Sequence, residues 1–500
     1  MNTKRALSLI LAMLMLTAML ASCATKEDPQ SENPADSTQA DAGAADTTEG
    51  ATEQIRPNLP DKDFGGHEFH ILSNDFDDVN FIYNPRDIYA ESQNSEVIND
   101  AVFMRNSAIE DRYNIKIKET KVKFSSNTFD NTFKKSILTG DVKYDLAIIP
   151  LMNIGKYALE SYLLDFHKVP HIDFAKPWWD HNSVSSLSIG GKLYGVVGDL
   201  NNSSKDSASS IVFNKSLFKD NNLEYPYDLV NSGEWTLEKF RELCITISDD
   251  VNGDGKMDLE DRYGLIYQRP SMNSFLPSFG GSIAEKDAND IPYITMNSPK
   301  SIDAFNAMFE FLYDREHCVN VSIGHEADFT TVQQNIFQSN RGLFLWVRNR
   351  DIEDMRTMQS DFGILPVPKL NASQPSYVSA VNTYTGVVQA IPANDPDLER
   401  TGIILEALNA ESHYTLKPAY FEINLSGKFA RDEESTHMLE IIYDNIFYDV
   451  GDVYQIGGLR SFNGMSSTYD ANINSYYEKN AGKAETDLNK LVTAIQALDQ

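Results

Sequence analysis

The sequence predicts an α/β protein built as two lobes, and three observations carry that reading. Between His67 and Ile149, segments of alternating apolar and polar residues take turns with segments whose apolar residues repeat every three to four positions. That is the order strand, helix, strand, helix, strand. The last segment, Tyr144 to Ile149, is a short apolar run stopped by Pro150, as a buried parallel strand requires. Finally, 500 residues, less a leader and a polar leash, leave enough chain for two domains of ordinary size.

Charge narrows the partners. With 43 Lys and Arg against 73 Asp and Glu, the formal net charge is −30, so phosphate backbones and anionic lipid surfaces repel this chain. Nucleic acid is not expected as a partner on that ground. A hydrophobic fraction of 41% with 27 Gly and 19 Pro is that of a globular protein. Beyond the leader no apolar stretch is long enough to cross a bilayer.

The leader carries Lys4 and Arg5, then an apolar run from Ala6 to Leu20, then Leu20-Ala21-Ser22-Cys23. A basic start, a short apolar core and small residues describe a secretory signal peptide. The cysteine makes the site resemble a bacterial lipobox, which implies cleavage after residue 22 and lipid (palmitate among its acyl chains) on Cys23. A plain signal peptide with Cys23 incidental is the alternative. Ala24 to Gln54 contains no aromatic residue and no Val, Ile, Leu or Met. It has too little apolar surface to offset its ordering entropy, so residues 23–60 are expected to form a disordered tether.

The folded part begins with a turn at Asp63-Phe64-Gly65-Gly66 and a strand from His67 to Leu72, after which Ser73-Asn74-Asp75 reads as a polar loop. Ser95 to Tyr113 is a helix, with Ile98, Ala101, Val102, Ala108 and Ile109 on one face. Ile115 to Val122 alternates as a strand, and Phe129 to Leu138 is a helix stopped by Gly140. A further helix ends near Tyr162, and Ser188 to Val197 reads as a hairpin around Gly190-Gly191. Ser209 to Phe213 is a strand leading into a helix from Asn214-Lys215 to Asn221, and Trp235-Thr236 opens a helix from Leu237 to Ile247. Asn297-Ser298-Pro299 caps a helix to Tyr313, with proline at the first helical position. Strands are expected at Gly342–Trp346, Phe362–Val367 and Val381–Ile391, then a helix from Asp397 to Asn409. The rest is mostly helical, with a break at Gly457 to Ser467.

Besides Cys23, the cysteines are Cys244 in an apolar helical run and Cys318. Both are expected to be buried thiols, with pairing as the alternative, because free cysteine behaves as a small hydrophobe. No CxxC or Cys/His cluster points to zinc or redox work.

The sharpest motif is Asp250-Val-Asn252-Gly-Asp254-Gly255-Lys256-Met-Asp258-Leu-Glu-Asp261. Side-chain oxygens stand at positions 1, 3, 5, 9 and 12, Gly at 6, and a backbone carbonyl is available from Lys256 at 7. This is an EF-hand-type calcium-loop pattern, and Ca2+ takes six to eight oxygens. Asp261 stands where a bidentate Glu is usual, as in dockerin-like loops. A single copy suggests structural Ca2+ rather than scaffold docking.

No GxSxG, HExxH, GxGxxG or Walker sequence is present, and the nine histidines are scattered. Paired carboxylates for glycoside hydrolysis can be neither nominated nor dismissed among 73 acids. Aromatic residues at loop positions remain: the adjacent Trp178 and Trp179, and Trp346, which suit stacking on the apolar faces of pyranose rings. Core packing is the alternative for each, and the preferred reading for Trp235.

Taken in order, several pieces resemble an extracellular solute-binding protein of the ABC-transporter type, in the sugar-binding family that includes maltose-binding protein. They are the lipobox, Asn99-Asp100 to Arg105-Asn106 leading to Tyr113, Tyr144-Asp145-Leu146, Gly191-Lys192-Leu193-Tyr194-Gly195, Phe213-Asn214-Lys215, Trp235-Thr236 with Phe240, Asp254-Gly255 leading to Tyr263-Gly264, and Phe362-Gly363 to Pro366-Val-Pro368. The resemblance covers Phe64 to Gln500. It implies a two-lobe periplasmic-binding-protein-like fold with hinge-crossing strands and a central ligand cleft. Lobe 1 would take residues 61–207, lobe 2 with the calcium loop 208–372, the return to lobe 1 373–430, and a helical segment packing on lobe 2 431–500.

The same resemblance places Asn74, Asp75, Trp178, Trp179, Ser271, Asn273, Trp346, Arg348, Asn382 and Tyr384 at the cleft. It implies a lipid-anchored, non-enzymatic protein on the outer face of the cell membrane, touching the membrane only through its N-terminal lipid. Its solute would be a carbohydrate, an oligosaccharide by preference, delivered to an ABC permease. An exported glycan-active enzyme, a glycan-sensing lipoprotein without a transporter, and peptide or charged solutes remain open.

Overall fold

Two β-sheets, each flanked by helices, organise the chain, and neither is built from one continuous stretch. The computed structural model describes residues 54–75, 86–123, 128–325, 327–355, 357–423 and 432–497. The leader 1–22, Cys23 and the tether up to residue 53 lie outside the described residues. The compact unit runs from Arg56 to Gln500.

The strands, in chain order, are β1 (His67–Asp75), β2 (Ile115–Lys123), β3 (Leu146–Pro150), β4 (Ser209–Asn214), β5 (Tyr263–Tyr267), β6 (Ala284–Lys286), β7 (Pro292–Ile294), β8 (Cys318–Asn320), β9 (Gly342–Arg348), β10 (Phe362–Leu365), β11 (Ser379–Ala380), β12 (Val387–Ala390) and β13 (Ile446–Phe447). Helices of ten residues or more are α1 (Val97–Tyr113), α2 (Thr128–Leu138), α3 (Leu237–Ile247), α4 (Pro299–Leu312), α5 (Phe329–Gln338), α6 (Leu398–Tyr414), α7 (Glu433–Asp444) and α8 (Ile473–Ala497).

The first lobe holds the sheet β12-β3-β1-β2, the second the sheet β10-β4-β9-β5-β8. In the first, β1 lies parallel to β2 from His67↔Ile115 to Asp75↔Lys123, and the returning β12 adds an antiparallel edge to β3. In the second, β9, β5 and β8 run parallel, and β4 runs antiparallel between β9 and the edge strand β10. All residues of β3, β4, β5, β9 and the edge strand β10 are buried, as strands covered on both faces must be.

Local chemistry explains many of the boundaries. Asn214 caps the helix Lys215–Asp220 by accepting from Leu217 N, and Ser298 caps α4 by accepting from Ser301 N ahead of Pro299. Asn114 ends α1 in the left-handed conformation (φ 47°), which asparagine tolerates better than most residues. Four expectations are corrected. Ser73, Asn74 and Asp75 continue β1 instead of opening a loop, because β2 pairs with them to the end. Ile189 and Lys192 close a tight turn rather than a hairpin, and Val196 pairs with Gln389 instead. Residues 381–386 are not strand, since β12 begins at Val387. The break at Gly457–Ser467 is largely a 3₁₀ helix, Ile456–Ser467, kinked at Gly457 and Gly458 where φ is 59° and 69°.

Three segments tie the lobes together. The helix Ser203–Ser207 leads into β4, the chain returns through β11 toward β12, and β13 passes a third time. They bond to one another: Ala208 bridges Val381, Asn382 N donates to Ser207 O at 3.0 Å, and β11 pairs with β13. Of the C-terminal helices, α7 packs on β10, with Ser435 Oγ accepting from Ile364 N at 3.1 Å. Helix α8 touches both the helix Ile154–Leu159 of the first lobe and β7, so the C-terminal segment is shared between the lobes.

Cys244 and Cys318 are free and buried, and burial pushes both thiols well up. Cys244 also explains Gly264. A Cβ on Gly264 would lie 2.3 Å from Cys244 Cβ and 2.4 Å from its Cα, so α3 rests directly on the β5 backbone. Backbone against backbone has nowhere to relax. Gly264→Ala should therefore cost about 2–3 kcal/mol of stability, read by chemical denaturation, because overpacking a closed core forces backbone shifts.

Candidate ligand-binding cleft

The parallel strands β5 and β9 of the second lobe end side by side, beside the returning segment Asn382–Thr385. Ligands of open α/β sheets lie beyond such carboxyl ends. A cavity of about 550 Å³ opens there, within the range of small-molecule sites. The loop after β5 contributes Gln268, Arg269 and Pro270, the end of β9 contributes Arg348, and the start of α5 contributes Phe329. Asn382, Tyr384 and Thr385 come from the returning segment, and Arg460, Ser461, Asn463 and Gly464 from the 3₁₀ helix.

These groups are held in place by their neighbours. Arg348 binds Asp351 through Nε (2.9 Å) and Nη2 (2.6 Å), a bidentate ion pair at the start of the helix Asn349–Glu353. Arg460 Nε pairs with Asp452, which also accepts from Thr383 Oγ1 at 3.1 Å. Asn382 Oδ1 accepts from Tyr384 N at 3.0 Å and Asn382 O from Thr385 N, so the tight turn is fixed and holds Tyr384 outward, 38% exposed. Gln268 is buried, and its Oε1 has no partner among the described residues.

The ten expected site residues divide accordingly. Arg348, Asn382 and Tyr384 line the cavity. Asn273 stands behind it: its Nδ2 donates to Arg460 O (3.1 Å) and its Oδ1 accepts from Asn463 Nδ2 (2.6 Å), bracing the wall. Ser271 is buried and donates to Gln268 O at 2.7 Å, which shapes the loop. Asn74 is buried inside β1, donating to Ile148 O at 3.0 Å, and Asp75 is half-buried at the end of that strand. Trp346 is wholly buried in β9.

Trp178 and Trp179 are corrected as stacking platforms. Both rings are buried, and both indole N–H groups donate to one carboxylate, Glu406 of α6, at 3.0 and 2.9 Å. The pair clamps α6 to the preceding chain. Arg269, Phe329, Arg460 and Asn463 were missed. The Gly-rich break at Gly457 was the only signal pointing toward the last two.

A second cavity, about 360 Å³, lies beside Trp179 and the first crossing. Asp199 there accepts from His413 Nδ1 (2.6 Å) and pairs with Lys205 (3.4 Å) and Lys417 (3.8 Å). Burial raises the Asp199 carboxyl, but these cations outweigh it and hold it low. Its charges face each other.

The loop Asp250–Asp261 has the hydrogen-bond wrapping that its motif requires. Asp250 Oδ2 accepts from Gly255 N (2.8 Å), and Asp261 Oδ1 from Val251 N (3.0 Å), joining position 1 to 6 and 12 to 2. Asn252 and Asp254 accept from Asp254 N and Lys256 N, and Asp258 from Glu260 N. Among the described residues, however, no three His, Cys, Asp or Glu side chains converge as a ligand group. The donor set is present; its convergence is not.

No protein-family model matches the sequence, and no curated protein matches it. The fold does have counterparts among solved structures. The galacto-N-biose/lacto-N-biose I-binding protein of the ABC transporter from Bifidobacterium longum, in complex with lacto-N-biose, aligns with TM-score 0.57 at 12% identity, over 85% of this chain and 99% of that one. UspC of M. tuberculosis aligns with TM-score 0.55 at 13% identity, over 83% and 100%. A cyclo/maltodextrin-binding protein complexed with maltotetraose aligns with TM-score 0.53 at 12% identity, over 87% and 98%. The chain therefore has the two-lobe, periplasmic-binding-protein-like fold of these proteins.

The clamp on Glu406 makes a pH prediction. Burial pushes this carboxyl from 4.5 up to about 7, against the lowering effect of its N–H donors. The folded state thus keeps a proton that the unfolded state has lost between those values, so stability falls as pH rises across that window, by about 1.4 kcal/mol per unit inside it. Asp449, raised to about 7, acts in the same direction. Denaturant midpoints should be lower at pH 8 than at pH 5, and Glu406→Gln should flatten part of that slope.

Proposed function

We propose that this chain is an exported solute-binding protein of the sugar-binding type, anchored through lipid on Cys23 to the outer face of the cell membrane. It captures a carbohydrate between its lobes, performs no chemistry on it, and passes it to an ABC permease. The observation that carries this reading is the cleft: two α/β lobes joined by three crossing segments, with a cavity of about 550 Å³ where the crossing segment meets the ends of β5 and β9. Its composition supports a saccharide. Tyr384 and Phe329 supply aromatic surface, and Asn382, Asn463, Ser461 and Gln268 supply polar groups suited to hydroxyls. The fold it shares with transporter-associated sugar-binding proteins supports the same reading.

The mechanism is a population shift. A solute that touches groups of both lobes binds the closed arrangement more tightly than the open one, and drives closure by that difference in affinity. Crossing segments that bond to each other let the lobes rotate without separating.

The test is thermal unfolding of the full chain against mono- and oligosaccharides, combined with product analysis. A bound saccharide raises the midpoint by mass action and is recovered intact; Tyr384→Ala should weaken it about tenfold, or 1.4 kcal/mol. A flat panel would remove the carbohydrate assignment, and turnover of the sugar would replace it with an enzyme.

We also propose that the loop Asp250–Asp261 binds structural Ca2+, which would draw Asp250, Asn252, Asp254, Asp258, Asp261 and the Lys256 carbonyl together. The motif and its hydrogen-bond wrapping support this, the unconverged carboxylates weigh against it. Chelation should lower the unfolding midpoint and added Ca2+ restore it; an unchanged midpoint leaves an Asx-rich turn.

A further inference from the structure

The cleft differs from the rest of this acidic molecule in the sign of its charge. Arg269, Arg348 and Arg460 line it, and among the described residues no Asp or Glu does. Three other cavities among the described residues, of about 360, 520 and 530 Å³, each include at least one carboxylate in their walls. Across the whole chain acids outnumber bases 73 to 43, so three bases and no acid among the described lining residues is a local reversal.

The carboxylates that partner these arginines stand behind them. Asp351 and Asp452 are buried and absent from the lining, so each salt bridge fixes a guanidinium without presenting negative charge to the cavity. Arg460 commits Nε to Asp452, and its two terminal nitrogens have no partner among the described residues. Arg269 commits only its backbone, whose N–H donates to Ser322 Oγ at 2.8 Å; its guanidinium has no hydrogen bond or ion pair among the described residues. The cavity thus offers guanidinium donors in excess of acceptors. A neutral sugar hydroxyl both donates and accepts, whereas a carboxylate or sulfate only accepts.

We infer that the solute of this cleft is an anionic saccharide, its carboxylate or sulfate received by Arg269 and Arg460. The inference rests on the saccharide-binding reading proposed above. Guanidinium forks match the geometry of such oxyanions and bind them more strongly than neutral acceptors. The net charge of −30 does not prevent entry. At physiological ionic strength exposed charges are largely screened beyond about 8 Å, while the arginines act at hydrogen-bond distance.

The experiment measures affinity of the full chain, by calorimetry, for uronate oligomers (galacturonate, mannuronate, glucuronate) and sulfated oligomers. Each is set beside its carboxyl-reduced or desulfated counterpart, for wild type, Arg269→Gln and Arg269→Lys. The expected result is at least tenfold preference for one charged member over its neutral form, weakening with added salt. Arg269→Gln should lose at least tenfold and Arg269→Lys less, with the unliganded melting midpoint unchanged. Which charged arm responds identifies the oxyanion. Equal affinity for charged and neutral members, or an unaltered Arg269→Gln, overturns the inference and leaves the saccharide reading standing. If no saccharide binds, charged or neutral, both fall.

Discussion

Everything in this molecule depends on a narrow polar waist. The three segments that join the sheets bond to each other through backbone groups and through small hydroxyl side chains, beside apolar packing that continues from one sheet to the other. Ser207 Oγ accepts from Thr385 Oγ1 at 3.0 Å, Ser209 Oγ meets Ser274 Oγ at 2.6 Å and donates to Ala380 O at 3.1 Å, and Ser203 Oγ donates to Val387 O at 3.0 Å. Such contacts are directional and modest singly, so together they fix one geometry of the crossing.

The same waist sets where the cleft is and what it is made of. Turning the chain at Asn382 presents Tyr384 to the cavity, and passing back through Asp449 and Asp452 orders the segment that carries Arg460. Asp449 accepts from Ile283 N at 2.7 Å as well as from Gly451 N at 2.8 Å, so the third crossing is fastened to the second lobe by one half-buried carboxylate. Binding groups of the cleft are therefore oriented by charges and turns that never touch a ligand.

How much of this was legible in the sequence depended on whether the cause was local. Ser298-Pro299, Asn214 and Thr236 announce helix starts in a few residues, and the apolar run at Tyr144 announces a central strand. The extension of β1 through Asp75 and the absence of strand from 381 to 386 depend on partners far along the chain, β2 in one case and the crossing at Ser207 in the other. The tryptophan pair shows the same limit. Adjacent Trp178 and Trp179 suggested a stacking surface, yet Glu406, more than two hundred residues away, accepts from both. Arg348, Asn382 and Tyr384 came from the resemblance to binding proteins, and Arg269 and Arg460 lay in segments whose folding no local pattern reveals.

Burial of all four tryptophans has an optical consequence. Their emission will come from apolar surroundings, blue-shifted and sheltered from aqueous quenchers, and it will follow the packing of the lobes instead of the contents of the cavity. The aromatic rings that do face the cavity, Phe329 and Tyr384, are weak emitters, and Tyr384 is one of 23 tyrosines. Intrinsic fluorescence will therefore report rearrangement of the lobes and not contact with a solute, and a dye placed at the rim of the cleft is the reporter that the cavity itself calls for.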